Sequence, residues 1–182
     1  VYDRLADPRI LGWVRPEAER IYVGKASAQH TMKQEDINKL LVKLAAEGKI
    51  VARLKGGDSF VFGRGGEEAL LLKENGLPFE FIPGITSAIS VPEYAGIPVT
   101  HRKVAASFAV ITGHEDPSRE QSGINWQGLA KGVDTLIFLM GVENLKHISA
   151  RLIEHGRPAE TPAALIRWGT HPEQRTLITT LG

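Results

Sequence analysis

The chain of 182 residues contains no cysteine, and this absence excludes disulfides, thiolate zinc sites and cysteine nucleophiles together. It also lacks any apolar run near the roughly 20 residues that a membrane-spanning helix needs. No charge dominates, because 22 basic residues stand against 21 acidic ones, so nothing indicates nucleic-acid binding. The 6 histidines form no HExxH or other metal-ligand spacing, and the first residues of the sequence show no signal-peptide pattern. We therefore expect a soluble cytoplasmic protein without metal, nucleic-acid or membrane partners.

Strand-like and helix-like segments alternate along the chain. Apolar residues recur at helical spacing in segments 34–47, 67–75 and 142–155, and each of these segments is followed by a glycine. Apolar or alternating segments typical of strands lie at 21–23, 49–54, 79–82, 107–111, 135–139, 163–168 and 175–180. This alternation predicts an α/β protein with mostly parallel sheets.

The pattern restarts after residues 100–106, which predicts two α/β domains, residues 1–102 and 103–182. Both ends look incomplete, because an α/β protein normally opens with a strand and a nucleotide-facing turn. We therefore expect a first strand before residue 1 and more chain beyond residue 182.

The glycine-rich segment 53–68 lies between a predicted strand and a predicted helix. It has neither the Walker pattern nor GxGxxG, but it contains Gly56, Gly57, Gly63, Gly65 and Gly66. Glycine permits positive φ and lets a ligand approach the backbone, and the carboxyl end of a strand is where ligands bind in open α/β sheets. Asp58 favours a ligand with hydroxyls or an amine over a phosphate. The alternative is a tight turn that needs glycine for its geometry alone.

The order of the motifs resembles the tetrapyrrole methylases, and among them the uroporphyrinogen-III C-methyltransferases. The resemblance covers essentially the whole chain and is carried by segments 1–5, 22–25, 53–68, 83–88, 96–102, 112–114, 140–141 and 168–170. It implies two α/β domains with S-adenosyl-L-methionine in the cleft between them, and a homodimer. The implied reaction places methyl groups on two ring carbons of uroporphyrinogen III to give precorrin-2, with S-adenosyl-L-homocysteine as the other product and no metal.

The resemblance also implies roles for two charged residues near predicted strand ends. Asp3 corresponds to a proton acceptor and Lys25 to a proton donor. From the sequence alone, Asp3 can equally be a capping or turn residue, and Lys25 a solvated turn lysine. Many relatives have Arg after this lysine, whereas this chain has Ala26.

Further residues correspond to cofactor and substrate positions of the family. The implied cofactor-binding set is Gly56, Gly57, Asp58, Val61, Thr86, Ser87, Met140 and Gly169. Met140 follows an apolar strand, and such a residue also suits the core. The implied substrate-binding set is Arg64, Glu67 and Arg102, since arginine binds carboxylates with two parallel hydrogen bonds. Arg64 and Glu67 alternatively form only a surface ion pair.

Two rival functions remain open at this point. Another precorrin C-methyltransferase of the same family would share the fold and the cofactor, and the sequence does not say whether the pathway leads to siroheme, cobalamin or heme d1. A non-catalytic module that binds S-adenosylmethionine or a nucleotide would keep the glycine segment, but it has no need of Asp3, Lys25, Arg64 and Arg102 together.

Overall fold

The computed structural model describes residues 1–24, 32–115 and 122–182. Contacts divide the chain into two compact units, Val1–Thr86 and Ser87–Gly182. The division precedes the expected boundary at 102/103, because the helix that begins at Ser87 belongs with the second unit. Val91 of that helix lies directly against Gly169.

Three segments of the first unit run parallel around Tyr2, which bridges to Tyr22 on one side and to Leu54 on the other. The amide of Tyr2 donates to Ile21 O at 2.9 Å, and the amide of Leu54 donates to Val1 O at 2.9 Å. Each of the segments 21–23 and 49–54, which were expected to be strands, therefore pairs with the segment that contains Tyr2, but only through a single bridge. The prediction of full strands is wrong here, because the chain turns directly after Asp3, where the Ala6 amide donates to Asp3 O.

Segment 79–82 was expected to be a third strand of this unit, and this expectation is wrong. It makes no bridge to another described residue. Its aromatic side chains pack on the glycine-rich loop instead, with the Phe81 ring 4.4 Å from that of Phe60 and 5.7 Å from that of Phe79. Pro83 follows and has no N–H to donate to a ladder.

The described helices of the first unit are the short 3-10 helix Pro8–Trp13, α1 Gln34–Ala46 and α2 Gly65–Glu74. The helical spacing predicted α1 and α2 correctly, within two residues at each end. Ile37 and Leu41 of α1 are buried with Val23, so the apolar face of this helix covers the parallel segments.

The second unit contains α3 Ser87–Tyr94, α4 Trp126–Gly132 and α5 Leu145–Glu154. Its parallel sheet pairs β1 Phe108–Thr112 with β2 Thr135–Leu139. Trp126, Ala130, Ile148 and Leu152 form the buried core, on which Phe138 packs. This arrangement of strands and helices confirms the α/β class.

The second sheet pairs β3 Pro162–Arg167 with β4 Arg175–Thr180 in antiparallel fashion. The expectation of mostly parallel sheets therefore fails for this pair. A parallel crossover needs a dozen or more residues, and the connection 168–174 is too short for one.

Candidate active site

Asp3, Gly24 and Gly56 follow the three parallel segments of the first unit. Because the segments run in the same direction, their carboxyl ends meet at one edge, which is the ligand-binding edge of open α/β sheets. The turn after Tyr2 fits closely between two glycines. A Cβ at Gly24 would stand 3.0 Å from the amide nitrogen of Arg4, and one at Gly56 would overlap the carbonyl of Leu5.

Asp3, the predicted proton acceptor, is held on both carboxylate oxygens. Its Oδ2 accepts a hydrogen bond from Arg53 Nη2 at 2.7 Å, and its Oδ1 accepts one from the amide of Leu5 at 2.9 Å. Burial disfavours the charged carboxylate, but the Arg53 hydrogen bond, the Leu5 amide and the charges of Arg53 and Lys55 outweigh it, so the pKa of Asp3 lies below its ordinary value. Asp3 is therefore an anion at neutral pH.

Behind Asp3 lies a group of charges that the sequence analysis missed. Glu68 of α2 has 5% of its surface exposed, and it is the one buried charged residue in the described part of the chain. Its carboxylate accepts hydrogen bonds from Arg53 Nε at 3.2 Å and from Lys55 Nζ at 3.0 Å. Gln34 of α1 donates to it at 3.1 Å. A glutamate in a segment with helical spacing is usually solvated, so no sequence signal identified Glu68 as buried.

The glycine turn after Leu54 is open on one side and tightly packed on the other. Gly56 and Gly57 are exposed, and Gly57 has φ of 78°, in the left-handed region that glycine favours. The turn therefore needs glycine for its geometry, as the alternative interpretation of the sequence expected. Its backbone is exposed, and the binding of a ligand there stays a prediction.

Asp58 stabilises the same turn. Its Oδ1 accepts hydrogen bonds from the amides of Phe60 at 2.8 Å and Val61 at 3.0 Å, which is the local capping that aspartate commonly makes in turns. Val61 is half-buried. The structure thus shows a local role for Asp58, and its contact with the cofactor stays a prediction.

Arg64 and Glu67 lie at the start of α2 and form a two-pronged ion pair. Arg64 Nε donates to Glu67 Oε1 at 2.8 Å, and Nη2 donates to Oε2 at 2.7 Å. The hydrogen bond from Arg64 holds the pKa of Glu67 below its ordinary value. Arg64 adopts φ of 58°, an uncommon conformation for a residue with a Cβ. The ion pair predicted as the alternative is therefore present, and the contact with substrate is not tested by it.

Of the remaining cofactor candidates, two lie in the chain around the start of α3. Thr86 precedes this helix and Ser87 begins it, so the division between the two units falls between them. Ser87 is exposed and Thr86 is half-buried. Their place in the cofactor pocket stays a prediction.

Met140 and Gly169, two further candidates in the second unit, follow strands β2 and β3 respectively. Met140 is 58% exposed, so it is not the core residue that the alternative interpretation described. It has φ of 59° and borders a shallow pocket together with His114. Gly169 lies between two residues with positive φ, Trp168 and Thr170.

Arg102 lies in a tight turn of the second unit. The amide of His101 donates to Ala105 O at 2.9 Å, and the amide of Ala105 donates to His101 O at 2.9 Å, so the chain between them projects outward. Three cationic or titratable side chains of this turn, His101, Arg102 and Lys103, are exposed. Such a turn suits an anionic partner.

A pocket of about 310 Å³ opens at the carboxyl ends of β1 and β2. His114, Glu143, Asn144 and His147 are among its lining residues, and Asn144 Nδ2 donates to Gly113 O at 2.7 Å. Asn144 was missed by the sequence analysis. Among the residues with described positions, no three His, Asp or Glu side chains cluster as metal ligands would, and no helix is long and apolar enough to cross a membrane.

The sequence profile of the tetrapyrrole (corrin/porphyrin) methylases matches residues 1–182. The chain belongs to this family. A uroporphyrinogen-III C-methyltransferase from Priestia megaterium is 55% identical over 182 residues, covering 100% of this chain and 76% of the relative. A siroheme synthase from Azotobacter vinelandii is 53% identical over 182 residues, covering 100% of this chain and 39% of the relative.

Among solved tetrapyrrole methylases, the uroporphyrin-III C-methyl transferase from Thermus thermophilus complexed with S-adenyl homocysteine aligns with a TM-score of 0.82 at 38% identity. The alignment covers 100% of this chain and 75% of the other. The expected tetrapyrrole methylase fold is thereby confirmed. Lys25, the second catalytic candidate, and Ala26 lie outside the described residues.

Proposed function

We propose that this tetrapyrrole methylase is a uroporphyrinogen-III C-methyltransferase that methylates two ring carbons of uroporphyrinogen III to give precorrin-2. The observation that carries the proposal is the shared edge of the first unit, where Asp3 and the turn that exposes Gly56 and Gly57 follow neighbouring parallel segments. This edge occurs in a chain that is 55% identical along its length to an enzyme of that name.

S-adenosyl-L-methionine supplies an electrophilic methyl group on its sulfonium and leaves as S-adenosyl-L-homocysteine. The residues present fit such a molecule. Gly56 and Gly57 offer backbone amides and carbonyls without a Cβ in front of them, and Asp58 has a second carboxylate oxygen for a hydroxyl or an amine. The set that we assign to this ligand is completed by Val61, Thr86, Ser87, Met140 and Gly169. Exposed Met140 provides a polarisable apolar contact for an adenine ring.

Asp3 carries the proton chemistry in this account. Carbon methylation of a pyrrole requires that a proton leave the macrocycle, and an anionic carboxylate held in place can accept it. The low pKa of Asp3 ensures that the acceptor is charged. Lys25 follows Gly24, which lies next to the Asp3 turn, and we assign it the matching role of proton donor.

Cations hold the carboxylate-rich substrate. Arg102 is exposed on its turn with two further basic side chains beside it, and arginine matches a carboxylate with two parallel hydrogen bonds. Arg64 is oriented by Glu67, which fixes its guanidinium plane before substrate arrives. Pre-orientation of this kind reduces the entropy lost on binding.

The siroheme synthase similarity supports a place in siroheme synthesis, and precorrin-2 also leads toward cobalamin and heme d1. We further propose that the enzyme works in the cytoplasm as a homodimer. Light scattering on the purified protein tests the oligomeric state. We expect the mass of a dimer, and a monomeric mass at micromolar concentration would contradict the proposed homodimer.

The test of function is an anaerobic incubation of the purified protein with S-adenosylmethionine and uroporphyrinogen III, followed by mass spectrometry and visible spectra. We expect a product heavier by two methyl groups. A folded protein that binds the cofactor and methylates a later corrinoid precursor instead would establish the other precorrin methyltransferase. Cofactor binding without methylation of either substrate would establish the binding module.

A further inference from the structure

Glu68 of α2 joins three parts of the first unit. Its carboxylate takes hydrogen bonds from Gln34 on α1, and from Arg53 and Lys55 on the segment that leads into the glycine turn. The side chains concerned are well covered, with 13% exposure for Arg53, 12% for Lys55 and 6% for Glu68. A carboxylate this deep is costly unless it is paired and hydrogen-bonded.

Arg53 connects this buried carboxylate to Asp3. Its Nε donates to Glu68 Oε1 at 3.2 Å, its Nη1 donates to Leu54 O at 2.8 Å, and its Nη2 donates to Asp3 Oδ2 at 2.7 Å. The guanidinium is planar, so contacts on its three nitrogens fix its plane completely. Any rotation that breaks the Glu68 contact also turns Nη2 away from Asp3.

We propose that Glu68 is a positioning residue for methyl transfer, which holds the Arg53 guanidinium in the orientation that fixes the Asp3 carboxylate. The inference rests on the proposed function and on the assigned role of Asp3. Glu68 does not reach the edge itself, and it acts through Arg53. A second contribution is electrostatic, because Glu68 offsets the charges of Arg53 and Lys55, the two cations that face Asp3.

The alternative is a purely structural role, in which Glu68 only holds α1, α2 and the segment leading into the glycine turn together. A purely structural residue would change stability and, if the turn moved, the affinity for the cofactor. A positioning residue changes the turnover number while leaving the affinities for both ligands in place, because Asp3 acts in the proton-transfer step. The split between kcat and KM therefore separates the two roles.

The experiment compares Glu68→Gln with the control Glu74→Gln, an exposed carboxylate on the same helix. Gln fills the same volume but presents a neutral amide. We expect Glu68→Gln to lower kcat by about tenfold or more, with KM for uroporphyrinogen III and Kd for S-adenosylmethionine within about twofold of the parent protein. Its crystal structure should show Arg53 Nη2 withdrawn from Asp3. Glu74→Gln should match the parent protein.

A kcat of Glu68→Gln equal to that of Glu74→Gln overturns the proposal, and so does a fall in kcat with the Arg53–Asp3 contact intact. If Glu68→Gln does not fold, Arg53→Lys replaces it. Lysine keeps the charge but cannot reach Asp3, Glu68 and Leu54 O together, so we expect the same loss of kcat, and full activity of Arg53→Lys overturns the proposal. A parent protein that makes no methylated product contradicts the proposed function instead. Failure of the proposed function can therefore be distinguished from failure of the role proposed for Glu68.

Discussion

The carbonyl oxygen of Gly57 occupies the position where a side chain at Gly84 would begin. A Cβ built on Gly84 overlaps this oxygen and lies 3.5 Å from the amide nitrogen of Asp58. The loop before α3 is therefore packed closely against the backbone of the glycine turn.

Gly84→Ala is expected to destabilise the protein by about 1–3 kcal/mol, because the added methyl group forces two backbones apart. It should also weaken S-adenosylmethionine binding, since the Gly57 turn shifts with it. Urea denaturation and calorimetric titration measure the two effects. Gly12→Ala is the matched control, as a Cβ at Gly12 meets nothing within 4 Å. Equal stability of the two variants would contradict this account of the turn.

Asp3→Asn is expected to abolish most of the turnover and to reduce stability in a pH-dependent way. The pKa of Asp3 is lowered in the folded protein. The ionised carboxylate therefore stabilises the folded state at pH values above its unfolded pKa of 3.8, and this stabilisation is lost as the pH falls through the folded pKa. The gap in unfolding free energy between parent and variant should thus be widest near neutral pH and shrink on acidification. Urea denaturation across that range measures the gap, and a gap that does not change with pH would show that the Arg53 pairing contributes nothing.

Arg102→Ala should raise KM for uroporphyrinogen III by about tenfold, which corresponds to about 1.4 kcal/mol, because one guanidinium–carboxylate contact is removed. The Kd for S-adenosylmethionine should stay nearly unchanged. Arg175→Ala removes an exposed arginine of the same unit and serves as control. Parallel losses of substrate and cofactor affinity in Arg102→Ala would argue against its assignment.

Glu67→Gln separates the two interpretations of the Arg64–Glu67 pair. Both side chains are about half exposed, so loss of the pair should cost less than about 0.5 kcal/mol of stability. If Glu67 orients Arg64 for a substrate carboxylate, KM for the tetrapyrrole rises nonetheless. Steady-state kinetics measure KM for the tetrapyrrole, and thermal melting measures stability. An unchanged KM would show that the Arg64–Glu67 pair is only a surface ion pair.

The sequence predicted those parts of the fold that local pattern determines. The spacing of Ile37 and Leu41 predicted α1, and the apolar run 135–139 coincides with β2. The sequence-based prediction failed where strand pairing depends on residues that are far apart in sequence. Segment 79–82 has the composition of a strand, but Phe81 packs on Phe60 instead. The short connection 168–174 determines the antiparallel pairing that follows it, a property of loop length rather than of strand composition.

The candidate site divides in the same way. Glycine content and the strand–turn order predicted a ligand-accessible turn in segment 53–68, but only the pairing of the parallel segments places Asp3 and Gly56 at the same edge. The Glu68 network could not be predicted, since Arg53 and Glu68 are separated by 15 residues and belong to a strand-like segment and a helix that meet only in the folded unit. Solvated and buried glutamates look alike in a helical pattern.

Carbon methylation is tested by transfer of a labelled methyl group from S-adenosylmethionine to uroporphyrinogen III by the purified protein, followed by mild base treatment of the product. We expect two labelled methyl groups on ring carbons, which survive base, and we expect Asp3→Asn to lose them. Label that base removes would mean esterified carboxylates, and no label on the macrocycle would mean no transfer. Either result would contradict a carbon methyltransferase whose proton acceptor is Asp3.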